Sequence, residues 1–141
     1  MKNLFKKNRS SNSRSGVATV EMAICLPIFF LFLWANVEVG LGLMAKQVLI
    51  NAAREGSRAC IVGGLSVDET KEIVEGYSSA AGMISNVEIS VTPDPTTAAL
   101  GEPITVSVSA QYSDISIVAP MFFSDESKMT AESTMRKERA N

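Results

Sequence analysis

Histidine is absent from the 141 residues, and aromatic side chains make up only 6% of them. Without histidine the commonest general base and metal ligand is missing, so a hydrolase triad or a zinc centre lacks its usual parts. Serine and threonine are plentiful, but only scattered lysines could activate them, and no spacing sets a lysine beside a hydroxyl. No phosphate-binding glycine loop or metal-ligand motif occurs. The sequence therefore assigns no catalytic residue, no cofactor and no metal, and it excludes an enzyme in favour of a mechanical or recognition role.

Cysteine is scarce as well, with Cys25 and Cys60 alone. On one continuous helix their separation would be about 52 Å, beyond disulfide reach. Both read as small buried hydrophobes. An intermolecular bridge through Cys60 is the alternative that an oxidising compartment would allow.

Acids are missing from the start of the chain. Lys2, Lys6, Lys7, Arg9 and Arg14 precede Gly16 with no Asp or Glu among them, so the total charge of −2 leaves −7 for residues 17–141. Residues 1–15 are rich in Lys, Asn and Ser without a periodic apolar face, which predicts a disordered leader. A basic flank ahead of an apolar run keeps the N-terminus cytoplasmic and sends the acidic remainder across the membrane. That reading leaves no nucleic-acid partner for the leader.

The apolar run covers residues 17–35, which as a helix is about 28 Å long, close to the hydrocarbon thickness of a bilayer. Glu21 is its one formally charged side chain. An acid inside a membrane costs about 2.5–3.5 kcal/mol at the centre on insertion scales and less near the interface, so Glu21 requires a partner or a function. Alone it would reach back toward the headgroups. Pro27 removes a backbone donor within the run and predicts a kink or a local opening of the helix. Trp34 fits an interfacial aromatic. The run is not an ordinary secretory signal, whose apolar region is about 7–15 residues with cleavage after it.

Gly16 followed by an apolar helix with Glu21 resembles the cleavage site of type IV prepilins and pseudopilins. The longer set Arg14, Gly16, Val20-Glu21-Met22-Ala23, Leu26-Pro27 and Ala52-Ala53-Arg54-Glu55-Gly56-Ser57-Arg58 resembles TadE-like minor pseudopilins of tight-adherence (Flp-type) pili. The resemblance covers residues 14–58 well, and beyond them only a strand-rich tail and the ending Met135-Arg136-Lys137-Glu138 are similar. It implies a cut between Gly16 and Val17 by a membrane-embedded prepilin peptidase, where a residue without a side chain lets the backbone enter a tight cleft. It implies that Glu21 pairs with the new amino group of a neighbouring subunit and so sets register during assembly.

The implied partners are the prepilin peptidase, other major and minor pilin subunits, an inner-membrane assembly platform and membrane lipid. The implied role is assembly of a pilus in adhesion and biofilm formation, first in the inner membrane and then in the extracellular pilus. A type II secretion pseudopilin shares the processing logic. An uncleaved single-pass membrane protein with an outer ligand-binding domain is the reading of a different class.

Beyond the run, Val37, Leu41, Met44, Val48 and Ala52 recur at helical spacing, with Glu38 and Lys46 off that line. Small residues Ala45, Ala52, Ala53, Gly56 and Ala59 allow close packing by another helix or a sheet. Arg54, Glu55 and Arg58 form either a solvated charged face or a subunit contact, with Glu55 and Arg58 one turn apart. Gly63-Gly64 ends the helix. Ser66 with Glu69 forms a capping box for a second helix over residues 67–81, with Val67, Ile73, Val74 and Tyr77 on its apolar side. Asp68, Glu69, Glu72 and Glu75 read as its solvated face.

Alternation of period two then predicts strands over 87–92, 104–112 and 129–136. The apolar segment 115–123, which carries Pro120, is expected to be buried under the sheet, with an exposed patch for a partner as the alternative. The chain thus divides into a leader (1–16), a transmembrane helix (17–36) and a pilin-like α+β domain (37–141) with a small antiparallel sheet of about three strands.

Overall fold

The computed structural model describes residues 12–63, 65–84, 86–115 and 127–138. The chain divides into two compact units, Met1–Asn36 and Val37–Asn141. Its element order is α1 (Asn12–Gly63), α2 (Val67–Ala80), β1 (Glu88–Thr92), β2 (Pro103–Gln111), a 3-10 turn (Tyr112–Ile115) and β3 (Lys128–Arg136). The fold is α+β: a long N-terminal helix, a second helix and a three-stranded antiparallel sheet of order β1-β2-β3.

α1 starts at Asn12, before the glycine where a helix was expected to open, and continues through Pro27, Gly40 and Gly42. Within the first unit the apolar side chains from Val17 to Trp34 are exposed. They have no protein core to enter, and the helix is long and apolar enough to cross a membrane.

In the second unit the buried face of α1 is Ala45, Leu49, Ala52, Ala53, Gly56, Ser57, Cys60 and Ile61. Of the apolar line expected from Val37, Leu41, Met44, Val48 and Ala52, Ala52 lies on this face and Val48 packs against the core, and the rest is corrected. Val37 and Met44 point away from the core, whereas Glu38 is buried. Residue size explains the rotation. Small side chains let the helix backbone approach its neighbours, and at Gly56 an added Cβ would lie 2.6 Å from Val74 Cγ2 and 3.3 Å from Val106 Cγ1. A face of larger apolar residues could not come that near.

The same substitution of small for large operates on α2. Its buried residues are Thr70, Val74 and Ser78, and Ile73 and Tyr77 are exposed instead of forming the expected apolar side. The two buried hydroxyls are satisfied locally: Thr70 Oγ1 donates to Ser66 O and Ser78 Oγ to Val74 O, each at 2.9 Å. The helix opens with the expected capping box, Ser66 N donating to Glu69 Oε2 at 2.9 Å and Glu69 N to Ser66 Oγ at 3.4 Å. The Ser66 backbone N–H, then its hydroxyl, hold the Glu69 carboxyl below its ordinary pKa. Gly82, at φ +65°, follows the helix in the left-handed conformation that glycine takes without a Cβ penalty.

The alternation read from the strands sets the two faces of the sheet. Ile104, Val106, Val108 and Ala110 of β2 turn inward, flanked by Ile89 and Val91 of β1 and by Met129, Ala131 and Met135 of β3. The opposite face carries rows such as Thr92, Thr105 and Thr134. Across that face Lys128 of β3 reaches over the middle strand to Glu88 of β1 and ties the two edges together. The hydrogen bond and charge of Lys128 depress the Glu88 pKa. Of the segment expected to lie under the sheet, Ile115 is buried at the end of the 3-10 turn, and residues 116–123 lie outside the described residues.

Candidate functional site

The residues singled out in the first unit occupy one helical segment. Gly16 and Val17 are consecutive helical residues, both exposed, and nothing lies within 4 Å of a Cβ added at Gly16. Among the described residues, the space beside the Gly16 Cα is open. Glu21, one turn beyond Val17, is exposed among apolar side chains. In water such a helix would leave the apolar side chains of residues 17–35 unsheltered, which is the composition a bilayer accepts. Pro27 sits inside an uninterrupted helix.

In the second unit the segment Ala52-Ala53-Arg54-Glu55-Gly56-Ser57-Arg58 divides cleanly by face. Ala52, Ala53, Gly56 and Ser57 are buried, whereas Arg54 and Arg58 are exposed and Glu55 is half-buried. Ser57 Oγ lies 2.9 Å from both Ala53 O and Ser133 O, placing its one proton between the helix and β3. Arg58 Nη2 approaches Glu55 Oε1 at 3.6 Å across one turn. An exposed pair of this kind contributes a few tenths of a kcal/mol, about 0.2–0.5. The alanines and glycine therefore hold the fold together, and the charged half is presented outward.

Cys60 is buried, with its sulfur 3.2 Å from Thr70 Oγ1 between α1 and α2, and Cys25 is exposed. Both are free thiols. Among the described residues no group of Cys, Asp and Glu is arranged to hold a metal ion.

Three features escaped sequence reasoning. Tyr112 Oη donates to the Glu38 carbonyl at 3.1 Å, joining the end of β2 to α1. Burial, with the Glu38 charge as a smaller cause, raises the Tyr112 pKa. The second feature is Lys137, 4% exposed, whose Nζ donates to Pro95 O at 2.8 Å and Ala98 O at 3.0 Å. It clasps the β1–β2 loop against the end of β3.

The third is a groove of about 430 Å³ lined by Val39, Gly42, Leu43, Lys46, Tyr112, Ser127 and Met129. Gly42 opens it, since a Cβ there would lie 3.4 Å from Tyr112 Oη. The usable signal for it is the pair of glycines at positions 40 and 42.

Residues 16–58 match the family model of TadE-like proteins. The matched stretch begins at Gly16 and ends at Arg58, so the resemblance drawn from residues 14–58 falls on the segment that this model describes. No curated protein matches the chain, and no solved structure matches it.

Proposed function

We propose that the chain is a minor pseudopilin of a Flp-type, tight-adherence pilus. It enters the inner membrane with the leader in the cytoplasm, and a prepilin peptidase cuts between Gly16 and Val17. An inner-membrane platform then adds it to the pilus among other subunits. The observation that carries this reading is where the TadE-like match begins, at the glycine between the basic leader and the apolar helix. The exposure of Gly16 and the open space around it support access by a peptidase.

In this reading Glu21 pairs with the amino group freed at Val17 of a neighbour. The pairing rewards one axial register and disfavours the others, because a charge left unpaired in lipid is costly. The folded unit from residue 37 onward is large for a shaft subunit, which supports a minor position.

The test is the intact mass of the membrane-extracted chain, produced with its peptidase, for the unaltered protein and for Gly16→Trp. Loss of residues 1–16 from the unaltered protein alone is the expected result. A full-length mass in both would leave an uncleaved membrane-tethered binding domain as the better reading.

A further inference from the structure

The two edges of the sheet differ in what they leave open. Tyr112 N donates to Ser127 O at 2.8 Å and Lys137 N to Glu102 O at 3.0 Å, and the register between those bonds runs unbroken from Lys128 to Arg136. Bonded pairs recur every second residue in an antiparallel ladder, so the odd-numbered residues of β3 turn their N–H and C=O groups to β2. The even-numbered ones, Thr130, Glu132, Thr134 and Arg136, turn theirs outward. Lys46 Nζ reaches across from α1 to Thr130 O. Among the described residues nothing pairs with the amide or carbonyl of Glu132 or of Thr134.

β1 is the opposite case. It is five residues long, and its continuation runs into Pro93 and Pro95, neither of which has an N–H to offer. β3 has nine residues, no proline and no positive φ. One edge is blunted, and the other is left as a template about 27 Å long.

An apolar groove flanks the start of the open edge, where Met129 of β3 lines it together with Val39 and Leu43 of α1. A strand added beside β3 sends alternate side chains to the inner face, and the one next to Met129 meets this groove. Lys46 stands at the groove and Glu38 beside Tyr112, so neither sign of charge is favoured there. The outward amides and carbonyls match another backbone, and the groove matches an apolar side chain.

A second copy of the chain does not meet these terms. Its β1 edge is the blunted one. Its β3 edge can pair in two ways, and both fail. Lys46 lies at Thr130 and Ser57 at Ser133, so the second-unit part of α1 runs in the same sense as β3. Antiparallel pairing of the two β3 strands therefore sets the Val37 ends, each joined to an apolar run, at opposite ends of the pair. Parallel pairing turns one sheet over, and the polar row of Thr130, Glu132 and Thr134 then meets the groove.

We propose that the β3 edge from Met129 to Arg136 receives an extended strand of a different pilus subunit, which continues the sheet and seats an apolar side chain in the Val39–Leu43–Met129 groove. The contact rests on the assembly reading above. With one edge open and one blunted, the sheet adds a single neighbour and does not propagate, in keeping with a minor position.

The test compares full-length chains in cells that carry the assembly machinery. Thr134→Pro removes an outward N–H and none of the bonds to β2, so the unit should fold, with the Ala131 and Ser133 amides protected in detergent as before. Its content in sheared pili should fall at least tenfold while cutting is unchanged. Thr105→Val deletes the hydroxyl that Thr134 loses as a partner in the same exchange, and it should incorporate as the unaltered chain does. Equal incorporation of Thr134→Pro would overturn the contact.

A second measurement needs no proline. In detergent the Glu132 and Thr134 amides of the unaltered chain should exchange quickly and those of Ala131 and Ser133 slowly, and assembly should slow the first pair at least tenfold. Unchanged exchange in cut, incorporated chains would overturn the contact and leave the processing intact. Slowed exchange in uncut chains held in membranes with the machinery would support the contact and sink the processing, and fast exchange in uncut chains would sink both. Glu132→Cys in a Cys25→Ala background, with buried Cys60 retained, should give no homodimer when oxidised in those membranes. A homodimer as the main product would overturn the choice of a different subunit.

Discussion

Gly56 of α1 and Val74 of α2 stand so close that a Cβ on the glycine would lie 2.6 Å from Val74 Cγ2. Thr70 Cγ2, at 3.6 Å, closes the same space from the neighbouring turn. Gly56→Ala should therefore destabilise the folded unit by about 1–3 kcal/mol, through overpacking of two helices that cannot separate without opening the sheet. Gly76 provides the control. It lies inside α2 with nothing within 4 Å of an added Cβ, so Gly76→Ala should stabilise by about 0.5–1 kcal/mol through helix propensity. Thermal unfolding of the two variants in detergent checks both signs; equal effects would remove the close approach as the reason for the glycine.

The Tyr112–Glu38 contact predicts an alkaline weakness. The folded state raises the Tyr112 pKa, so it holds the phenol proton at pH values where the unfolded chain has released it. The associated stability is complete below the ordinary tyrosine pKa and is lost as pH rises through the raised value. Tyr112→Phe should cost about 1 kcal/mol at neutral pH by deleting the hydrogen bond to Glu38 O. It should also flatten the loss of stability above the ordinary tyrosine pKa. Unfolding midpoints at neutral and strongly alkaline pH for both proteins measure the two effects; an unchanged alkaline slope would remove Tyr112 as its cause.

Lys137 predicts a local effect rather than a global one. Lys137→Met keeps most of the buried stem but leaves Pro95 O and Ala98 O without the ammonium that now reaches both. Each buried carbonyl left unpaired costs about 1–3 kcal/mol, although water can reach a loop and recover part of it. Amide exchange should quicken at Ala98, Ala99 and Gly101 while β2 remains protected. Uniform loss of protection across the sheet would show that the clasp supports the whole unit instead.

Sequence reasoning came close on the elements that local signals specify. The capping box of Ser66 and Glu69 and the alternation along β2 and β3 each act within a few residues. For such signals the physical cause and the sequence window coincide. The faces of the helices were harder. Val37, Met44, Ile73 and Tyr77 are more hydrophobic than Gly56, Ser57, Thr70 and Ser78, which are buried in their place, so periodicity alone assigned them inward. Packing at short range selects Ala45, Gly56, Ser57, Thr70 and Ser78 instead, because backbone approach depends on the volume removed and not only on apolarity.

The amino-acid sequence by itself determined a basic start, an apolar helix with one acid, and an α+β remainder, because charge, run length and period are properties of the chain read in order. Tertiary structure alone decided which side of each helix meets the core and that Glu38 and Lys137 are buried. It also decided that Gly42 and Tyr112 meet beside Met129 to frame the groove. These depend on which distant residues the sheet register places together, and packing of side chains across that register has no counterpart in any short window of the sequence.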